Sequence, residues 1–514
     1  MPASNTLLAR YALVLIVSMV ANPAVAQEHL GPVDNALSKN PYASPAEEKF
    51  GRGVVAGDFD GDGISDLAVS ESVGSRLHIL RGVAFTVGTS HPFSFFPETV
   101  TMPSHYWTMV SGDFDGDGRG EIAVSAFGAT VGGLASAGQV HVMNLRTDGI
   151  WSVQSTIQAG GAYPGAPQAN AQLGNSLAAG DFNGDGYTDL AIGIHRQTVG
   201  GFADAGAIMV TYGGSSGISA EHARIFDRSS DGLTFAPKAE DFFGSALAAG
   251  DFDGDDDDDL AIGILNGTCQ DGSTRAGAVV VLNGSASLGI STIGSRIWRP
   301  GVQGIAGTCA AGSNFGRSLV SGHFSTVDFE VFTDLAIGAP AASADSNSDG
   351  AVHVLYGTDT GLNAANNQRI TAPATAGFTR GRSRFGYALA SGRLARYCDN
   401  NILICNGDSL TVSAPLAIVN GVDAAGAAWV FDSRLFNRLN IEPARPILPL
   451  APLEIGGPHE NDQFGNDLAI GDFNDDGSAD LAIGVYLHDD GGETNAGAVQ
   501  VLYQSDFIFL HGFE

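Results

Sequence analysis

Short apolar runs alternate with acidic and glycine-rich stretches along almost the whole chain. The run "FGSALAAGDF" (243–252) is followed by an acidic loop, then by "DLAIGI" (259–264), a Gly-rich loop and "AGAVVVLN" (276–283). These runs are short, rich in β-branched or small residues, and bounded by Gly, Asp and Asn, which predicts strands and turns. A weaker fourth strand is predicted before the next such run, as at 223–229 and 368–373.

The pattern repeats seven times. The Gly that precedes the loop recurs at steps of 55 to 79 residues, at Gly57, Gly112, Gly180, Gly250, Gly322, Gly392 and Gly471. Four antiparallel strands in each of seven units predict an all-β fold, a seven-bladed β-propeller. The alternatives are a β-helix, which would need shorter repeats, and separate sandwiches, which would need unrelated domains.

Five of the seven units carry the acidic loop, as in "GDFDGDGISDLA" (57–68). The fifth and sixth units keep only the apolar frame, as "FGRSLVSGHF" (315–324) with "TDLAIGAP" (333–340), and "FGYALASGRL" (385–394) with "LTVSAP" (410–415). Because the frame persists without the carboxylates, we expect it to serve folding.

The repeated phrases resemble FG-GAP repeats, the units of the seven-bladed propeller in the integrin alpha-subunit head. The phrase "GAP" stands at 338–340, and unit two has "YWTMVSGDF" where "FG" is expected. The resemblance covers about residues 50–503. The "FG" pairs are Phe50-Gly51, Phe243-Gly244, Phe315-Gly316, Phe385-Gly386 and Phe464-Gly465.

Charge and length restrict the function classes. The 514 residues include 56 Asp and Glu against 25 Lys and Arg, for a formal charge of −31. Nucleic acids and anionic membranes are held by Lys and Arg, so neither is an expected partner. A hydrophobic content of 44% is ample for a core, so the acidity does not indicate disorder.

The N-terminus has the pattern of a signal peptide. Arg10 precedes the apolar run "YALVLIVSMVA", and Ala24 and Ala26 supply the small residues of a cleavage site. The run is too short for a membrane-spanning helix. We therefore expect residues 1–26 to be removed and the chain to be secreted or periplasmic. The rest of the chain divides into three parts: an N-terminal segment at 27–49 that could close the ring, the propeller at 50–503, and a tail at 504–514.

The first acidic loop has the spacing of a Ca²⁺ site. Asp58, Asp60 and Asp62 occupy positions one, three and five, the Ile64 carbonyl position seven, and Asp66 position nine. A Gly at position six permits the sharp turn that directs alternate oxygens toward one centre, and Ca²⁺ takes six to eight oxygen ligands. Mg²⁺ would require a tighter octahedron, and no soft ligand is present for zinc or copper.

Two other interpretations fit the loop less well. An EF-hand needs a Glu at position twelve and flanking helices, whereas here position twelve is apolar and lies in a predicted strand. Plain solvated acidic turns would leave like charges clustered without a counter-ion. The integrin-type loop, with an acid at position nine, fits better.

The resemblance carries the same ligand positions to the other four loops. About five Ca²⁺ ions would change the formal charge from −31 to −21. The second and third loops would use Asp113, Asp115, Asp117, Arg119 (carbonyl) and Glu121, and Asp181, Asn183, Asp185, Tyr187 (carbonyl) and Asp189. The fourth and seventh would use Asp251, Asp253, Asp255, Asp257 (carbonyl) and Asp259, and Asp472, Asn474, Asp476, Ser478 (carbonyl) and Asp480.

The four cysteines allow three pairings in an oxidising compartment. Cys398 and Cys405 are seven residues apart where the sixth unit lacks an acidic loop, which suits a local bridge. We therefore expect Cys398–Cys405 and Cys269–Cys309.

Candidate catalytic residues are few. Ser215 lies in a G-x-S-x-G pattern, but no helix is predicted after it, so a Gly and Ser turn is expected rather than a nucleophile elbow. No H-E-x-x-H occurs. The twelve His residues show no ligand spacing, and His195 and His488 are expected at the surface.

Two function hypotheses remain. The first, which we favour, is an exported, calcium-loaded module that binds an extracellular protein or glycan, as in adhesion. The second is a secreted hydrolase or lyase with its site on the face opposite the acidic loops. Variable loops on a rigid scaffold usually carry binding, so the partner is expected on that opposite face. The contacts predicted there are Phe127, His195, Phe202 and Tyr486.

Overall fold

The computed structural model describes most of the region predicted as a propeller. The described residues are 37–39, 49–72, 75–84, 98–102, 108–233, 235–269, 271–272, 275–325, 332–342, 349–394, 398–399, 404–405, 407–433, 438–441, 444–449, 457–489 and 494–503. The predicted signal peptide and the tail at 504–514 lie outside them.

Seven four-stranded antiparallel sheets, here called blades one to seven, confirm the predicted fold. The strands of each blade are named A to D from the ring centre outward. Blades one and two are Phe50–Gly57, Asp66–Glu71, Arg76–Leu80 and Glu98–Thr101, and Met109–Gly112, Glu121–Ala126, Gln139–Leu145 and Trp151–Ile157. Blades three and four are Leu177–Gly180, Asp189–Ile194, Ala207–Tyr212 and Ser219–Asp227, and Phe243–Gly250, Asp259–Ile264, Ala278–Asn283 and Ser291–Trp298. Blades five and six are Ser318–Gly322, Asp334–Ala339, Ala351–Tyr356 and Asn363–Ile370, and Leu389–Gly392, Ser409–Ala414, Ala427–Phe431 and Arg445–Ile447. Blade seven is Leu468–Gly471, Asp480–Val485, Ala498–Leu502 and Leu37–Lys39.

Two short strand pairs lie outside the blades. Phe378–Thr379 pairs with Ile418–Val419, and Cys398–Asp399 pairs with Ile404–Cys405. Both pairs are antiparallel. The described residues contain no helix.

The A strands form the inside of a closed ring. Each A strand contacts the A strand of the next blade, and that of blade seven contacts that of blade one. Together they line a central cavity of about 1000 Å³. The B strands are fully buried, because apolar layers from adjacent blades cover both of their faces.

The outermost strands depart from the predicted bounds. The strand expected at 223–229 is Ser219–Asp227, and the one expected at 368–373 is Asn363–Ile370. Most of their residues are exposed or only partly buried, since only strand C covers one edge. An edge strand with so few buried positions has no apolar run that could mark where it begins.

The five "FG" pairs each join their blade to the one before it. Phe315 is buried and forms a parallel bridge with Gly277, the residue before strand C of blade four. A Cβ on Gly277 would lie 2.1 Å from the Phe315 carbonyl oxygen, and its φ is 92°, so the position requires glycine. In blade three Leu173 and Gly174 occupy the equivalent place beside Gly138, a match that the "FG" pattern alone does not find.

The seventh blade draws strands from two distant parts of the sequence. Leu37–Lys39 pairs antiparallel with Ala498–Leu502, with Leu37 opposite Gln500. The Phe50 N–H also donates to the Ala496 carbonyl at 3.0 Å. Backbone pairing therefore links the first and last repeats and closes the ring.

Candidate metal loops and the opposite face

Each acidic loop connects strands A and B and wraps around its first aspartate. In blade one Asp58 Oδ1 accepts from the Gly61 N–H at 2.7 Å, and Asp58 Oδ2 accepts from the Gly63 N–H at 2.8 Å. Gly63 has a φ of 89°, as the turn at position six requires. In the second, third and seventh loops the position-six N–H likewise donates to Oδ2 of the first Asp. The donors are Gly118, Gly186 and Gly477.

Carboxylates converge in three of the loops. In each group the oxygens lie within 4.8 Å of one another. These oxygen-only donor sets suit a hard cation such as Ca²⁺. The groups are Asp58, Asp60 and Asp62; Asp113, Asp115 and Glu121; and Asp251, Asp253 and Asp255.

The third and seventh loops have an Asn at position three. The Asn183 side-chain amide donates to Asp185 Oδ2 at 3.1 Å, and Asn474 donates to Asp476 Oδ2 at 3.3 Å. Asn183 Oδ1 accepts from the Asp185 N–H at 3.1 Å. The loop backbone is thus the same with Asn or Asp at position three, and only the charge differs.

The position-nine carboxylates are buried at the start of strand B. Asp66 accepts from the Phe59 N–H at 3.0 Å and from the Gly82 N–H at 2.8 Å. Burial, together with the charges of Asp60 and Asp62, raises the pKa of Asp66 to about 7. Burial likewise raises the pKa values of Glu121, Asp189 and Asp259 to about 8. A bound cation would favour their ionised forms.

Blade five retains this carboxylate without the acidic loop. Asp334 accepts from the Ser325 N–H at 2.8 Å and from the Gly357 N–H at 2.9 Å, much as Asp189 accepts from the Phe182 and Gly213 N–H groups, although Ser325 stands one place later in its loop than Phe182. Position nine therefore has a structural role of its own. Its Asp alone does not indicate a metal.

A ring of seven backbone hydrogen bonds links the A–B loops of adjacent blades. In each bond the N–H of the residue just before strand B of one blade donates to the position-one carbonyl of the preceding loop, over 2.6 to 3.3 Å. Blades five and six take part through His323 and Arg393. The donor and acceptor pairs are Gly120 to Asp58, Thr188 to Asp113, Asp258 to Asp181, Thr333 to Asp251, Asp408 to His323, Ala479 to Arg393 and Ser65 to Asp472.

The fourth loop differs at position six. Asp256 stands where the other acidic loops have Gly, and its φ is 71°. Its N–H still donates to Asp251 Oδ2 at 3.0 Å. The turn is preserved, but a residue with a side chain adopts the left-handed backbone conformation, which costs free energy relative to glycine.

The four predicted partner contacts all follow B strands, at the ends opposite the acidic loops. Phe127 and His195 line the central cavity, and Phe202 is 45% exposed. The Tyr486 ring lies 4.9 Å below the Arg52 guanidinium. The structure thus places them on one face of the ring, with Phe202 furthest into solvent.

Basic and aromatic side chains gather at this end of the cavity. Arg317 stacks over Tyr387 at 5.2 Å, as Arg52 does over Tyr486. His195 is half-buried rather than at the surface, because it packs near Phe242 and lines the cavity. Burial lowers its pKa to about 4, and its Nδ1 has no hydrogen-bond partner among the described residues.

The expectation that His488 lies at the surface is wrong. Its side chain is only 5% exposed, and its Nδ1 lies 3.3 Å from Asp462 Oδ2. His459 Nδ1 lies 3.4 Å from the same oxygen. The fold brings together residues 26 positions apart, and the only local signal in the sequence is the His-x-x-Asp spacing before "FG".

The cysteine and serine candidates occupy separate parts of the fold. Cys269 and Cys309 form a disulfide that joins blade four to the segment entering blade five. Cys398 and Cys405 are opposite one another in a short hairpin, and their bridge stays a prediction. Ser215 lies in a turn closed by the Gly217 N–H and the Gly214 carbonyl, and strand D rather than a helix follows.

Comparison with known proteins identifies the type of repeat. The FG-GAP repeat matches residues 173–210, 243–282 and 464–502, and the FG-GAP-like repeat matches residues 58–124. The chain therefore contains FG-GAP repeats. Integrin alpha pat-2 of Caenorhabditis briggsae is 28% identical over 232 residues, which cover 42% of this chain and 18% of that one. Integrin alpha-V of Gallus gallus is 29% identical over 244 residues, 45% of this chain and 20% of that one.

An enzyme also matches this FG-GAP protein. Phosphatidylinositol-glycan-specific phospholipase D of Rattus norvegicus is 31% identical over 175 residues, which cover 34% of this chain and 20% of the phospholipase. The matched segments thus span a fifth or less of these relatives. In the described part of the chain, no helix has the length and apolarity needed to cross a membrane.

Proposed function

We propose that this FG-GAP propeller is an exported module that holds Ca²⁺ in its acidic loops and binds an extracellular protein or glycan on the opposite face. The convergence of three carboxylates in each of three loops carries the calcium part. The similarity to integrin alpha chains and the signal-peptide pattern support an extracellular location.

The calcium proposal is tested by counting ions. Metal-free protein should bind about five Ca²⁺ ions in isothermal titration calorimetry and native mass spectrometry. The variant Asp58→Asn removes the loop-one carboxylate around which the turn forms, and it should lower the count by about one. Exposed Glu221 lies on an outer strand, so Glu221→Ala is the control and should leave the count unchanged. Failure of wild-type protein to bind Ca²⁺ would refute the proposal.

The partner proposal rests on the face opposite the acidic loops. There the cavity mouth combines Arg52, Arg317 and aromatic rings, and such residues dominate binding energy in protein interfaces. Extracellular proteins and arrayed glycans should be screened in calcium, and binding measured with Phe127, His195, Phe202 and Tyr486 each changed to Ala.

The control for the face assignment is a change on the acidic-loop face. Arg146 lies in the C–D turn of blade two and is exposed, so Arg146→Ala should leave binding intact. If Arg146→Ala abolishes binding with full calcium occupancy while all four opposite-face variants still bind, the face assignment is wrong.

The enzyme alternative is supported by one observation. His459, Asp462 and His488 cluster on the opposite face, where a secreted hydrolase or lyase would place its site. A panel of ester, phosphodiester and polysaccharide substrates tests it. Turnover by wild-type protein that is lost in Asp462→Asn would support the alternative, and absence of turnover across the panel would count against it.

A further inference from the structure

Two histidines and an aspartate of blade seven form a compact donor set away from the acidic loops. His459 and Asp462 lie in the turn before "FG", and His488 follows strand B. Their donor atoms lie within 4.8 Å of one another. The two imidazole centroids are 5.5 Å apart, with ring planes inclined by 31°.

The separations within the cluster are longer than those of a charge-assisted ion pair, and they fit the edges of a metal-ligand tetrahedron. The two Nδ1 atoms lie 3.4 and 3.3 Å from Asp462 Oδ2, whereas charge-assisted N–H···O bonds are usually about 2.7–2.9 Å. Zinc bonds to His and Asp of about 2.0–2.1 Å give a tetrahedral edge of about 3.3–3.4 Å. Both measured separations match that edge.

Blade four offers a matched comparison. Asp241 stands two residues before "FG", as Asp462 does, and the two turns share the same backbone contact, from Asp241 N–H to Lys238 and from Asp462 N–H to His459. The carboxylate of Asp241 is paired with the Arg228 guanidinium. In blade seven two imidazoles face the equally buried carboxylate instead, so a metal ion would supply the positive charge that Arg228 supplies in blade four.

We propose that His459, Asp462 and His488 bind a divalent cation of the zinc class. The ligands are Nδ1 of each neutral imidazole and Oδ2 of Asp462, and each Nε2 carries the ring proton. Imidazole donors select zinc and its neighbours over Ca²⁺, which takes oxygen ligands. His459 is 51% exposed, so the ion has an entry path and a fourth position for water.

The test is zinc binding under conditions that fill the acidic loops. Protein without a histidine tag is stripped of metal, saturated with Ca²⁺ and titrated with Zn²⁺ against a chromogenic chelator. Wild-type protein should bind about one Zn²⁺ per chain, and Co²⁺ should give the visible absorption of a tetrahedral site. His459→Ala should weaken binding by at least about tenfold, and Asp462→Asn should do the same.

The control is His222→Asn. His222 is an exposed histidine on strand D of blade three with a φ of 65°, which Asn tolerates, so zinc affinity should be unchanged. Because His459 is exposed, its Ala variant should melt as wild type does. The proposal is overturned if wild-type protein binds no Zn²⁺ in excess Ca²⁺, or if His459→Ala and Asp462→Asn bind it as tightly as wild type.

Discussion

Blades one to four and seven carry acidic loops, whereas blades five and six do not, yet all seven occupy equivalent places in the ring. The His323 carbonyl accepts from the Asp408 N–H at 2.7 Å, as the Asp181 carbonyl accepts from the Asp258 N–H at 2.8 Å. The backbone ring is therefore continuous through blades that lack the carboxylates. Ring geometry does not require the acids, so their concentration in five loops points to a ligand.

Side chains reinforce the same contact in both kinds of blade. Asp408 Oδ2 accepts from the His323 N–H at 2.9 Å, and Asp258 Oδ2 accepts from the Asp181 N–H at 2.9 Å. At the start of strand B, the place of position nine in the acidic loops, blade five keeps Asp334, while blade six has buried Ser409, whose hydroxyl donates to Asp432 at 2.8 Å. Acids that hold the backbone persist in blades five and six, whereas those at positions one, three and five do not.

The largest expected effect is the loss of stability on calcium removal, confined to five blades. Each ion present at a hundredfold its Kd would add about 2.7 kcal/mol, so removal should lower the melting temperature by about 10 °C or more. Hydrogen exchange, resolved by peptide, should speed up in the A–B loops of blades one to four and seven. Equal acceleration in blades five and six, or equal melting temperatures with and without calcium, would contradict the comparison.

The next effect is a pH dependence that appears only without calcium. Burial raises the pKa of Asp66 from 3.8 to about 7 and that of Asp189 to about 8. Between these values and the unfolded pKa the native state holds more protons than the unfolded state, so stability falls as pH rises. Metal-free protein should therefore melt at a lower temperature at pH 8 than at pH 5.

Calcium should remove this trend, because the bound ion favours the ionised carboxylates. Melting temperatures from pH 5 to pH 8, with and without saturating calcium, measure it. The idea fails if metal-free protein gains stability over that range, since the buried carboxylates would then have to be ionised in the native state.

The repeat could be predicted from the sequence because the same pattern of apolar strands, acidic residues and glycines recurs seven times. The B and C strands are buried on both faces, so their apolar runs mark them, while the D strands at Ser219–Asp227 and Asn363–Ile370 lack that signal. Each acidic loop lies within one short stretch of sequence, so the spacing of its acidic residues can be recognised directly. The His459, Asp462 and His488 cluster depends on two loops meeting in space, which no local pattern encodes.

A smaller effect should separate the two roles of position nine. Without calcium, Asp334→Asn weakens acceptance from two buried N–H groups and should cost about 1–3 kcal/mol. Asp189→Asn should cost less at neutral pH, because it also removes the destabilisation that comes from the raised pKa of Asp189. With calcium, Asp189→Asn should lose additional stabilisation, because loop three also loses a ligand. Thermal melting of both variants, with and without calcium, gives the difference. If Asp334→Asn also reduces the gain from calcium, position nine of blade five is not solely structural.

The smallest effect concerns position six, where loops three and four differ. Gly186 has a φ of 85°, and a Cβ there would meet no atom within 4 Å, whereas Asp256 adopts a φ of 71° with a side chain. Gly186→Asp should therefore cost about 1 kcal/mol through backbone strain alone, and Asp256→Gly should gain less than that, because glycine also gains entropy when unfolded. Melting in saturating calcium measures both changes, and calcium titration of each variant should show loop three weakened and loop four tightened. Stabilisation by Gly186→Asp, or destabilisation by Asp256→Gly of more than about 1 kcal/mol, would show that the Asp side chain contributes a favourable contact that outweighs its strain.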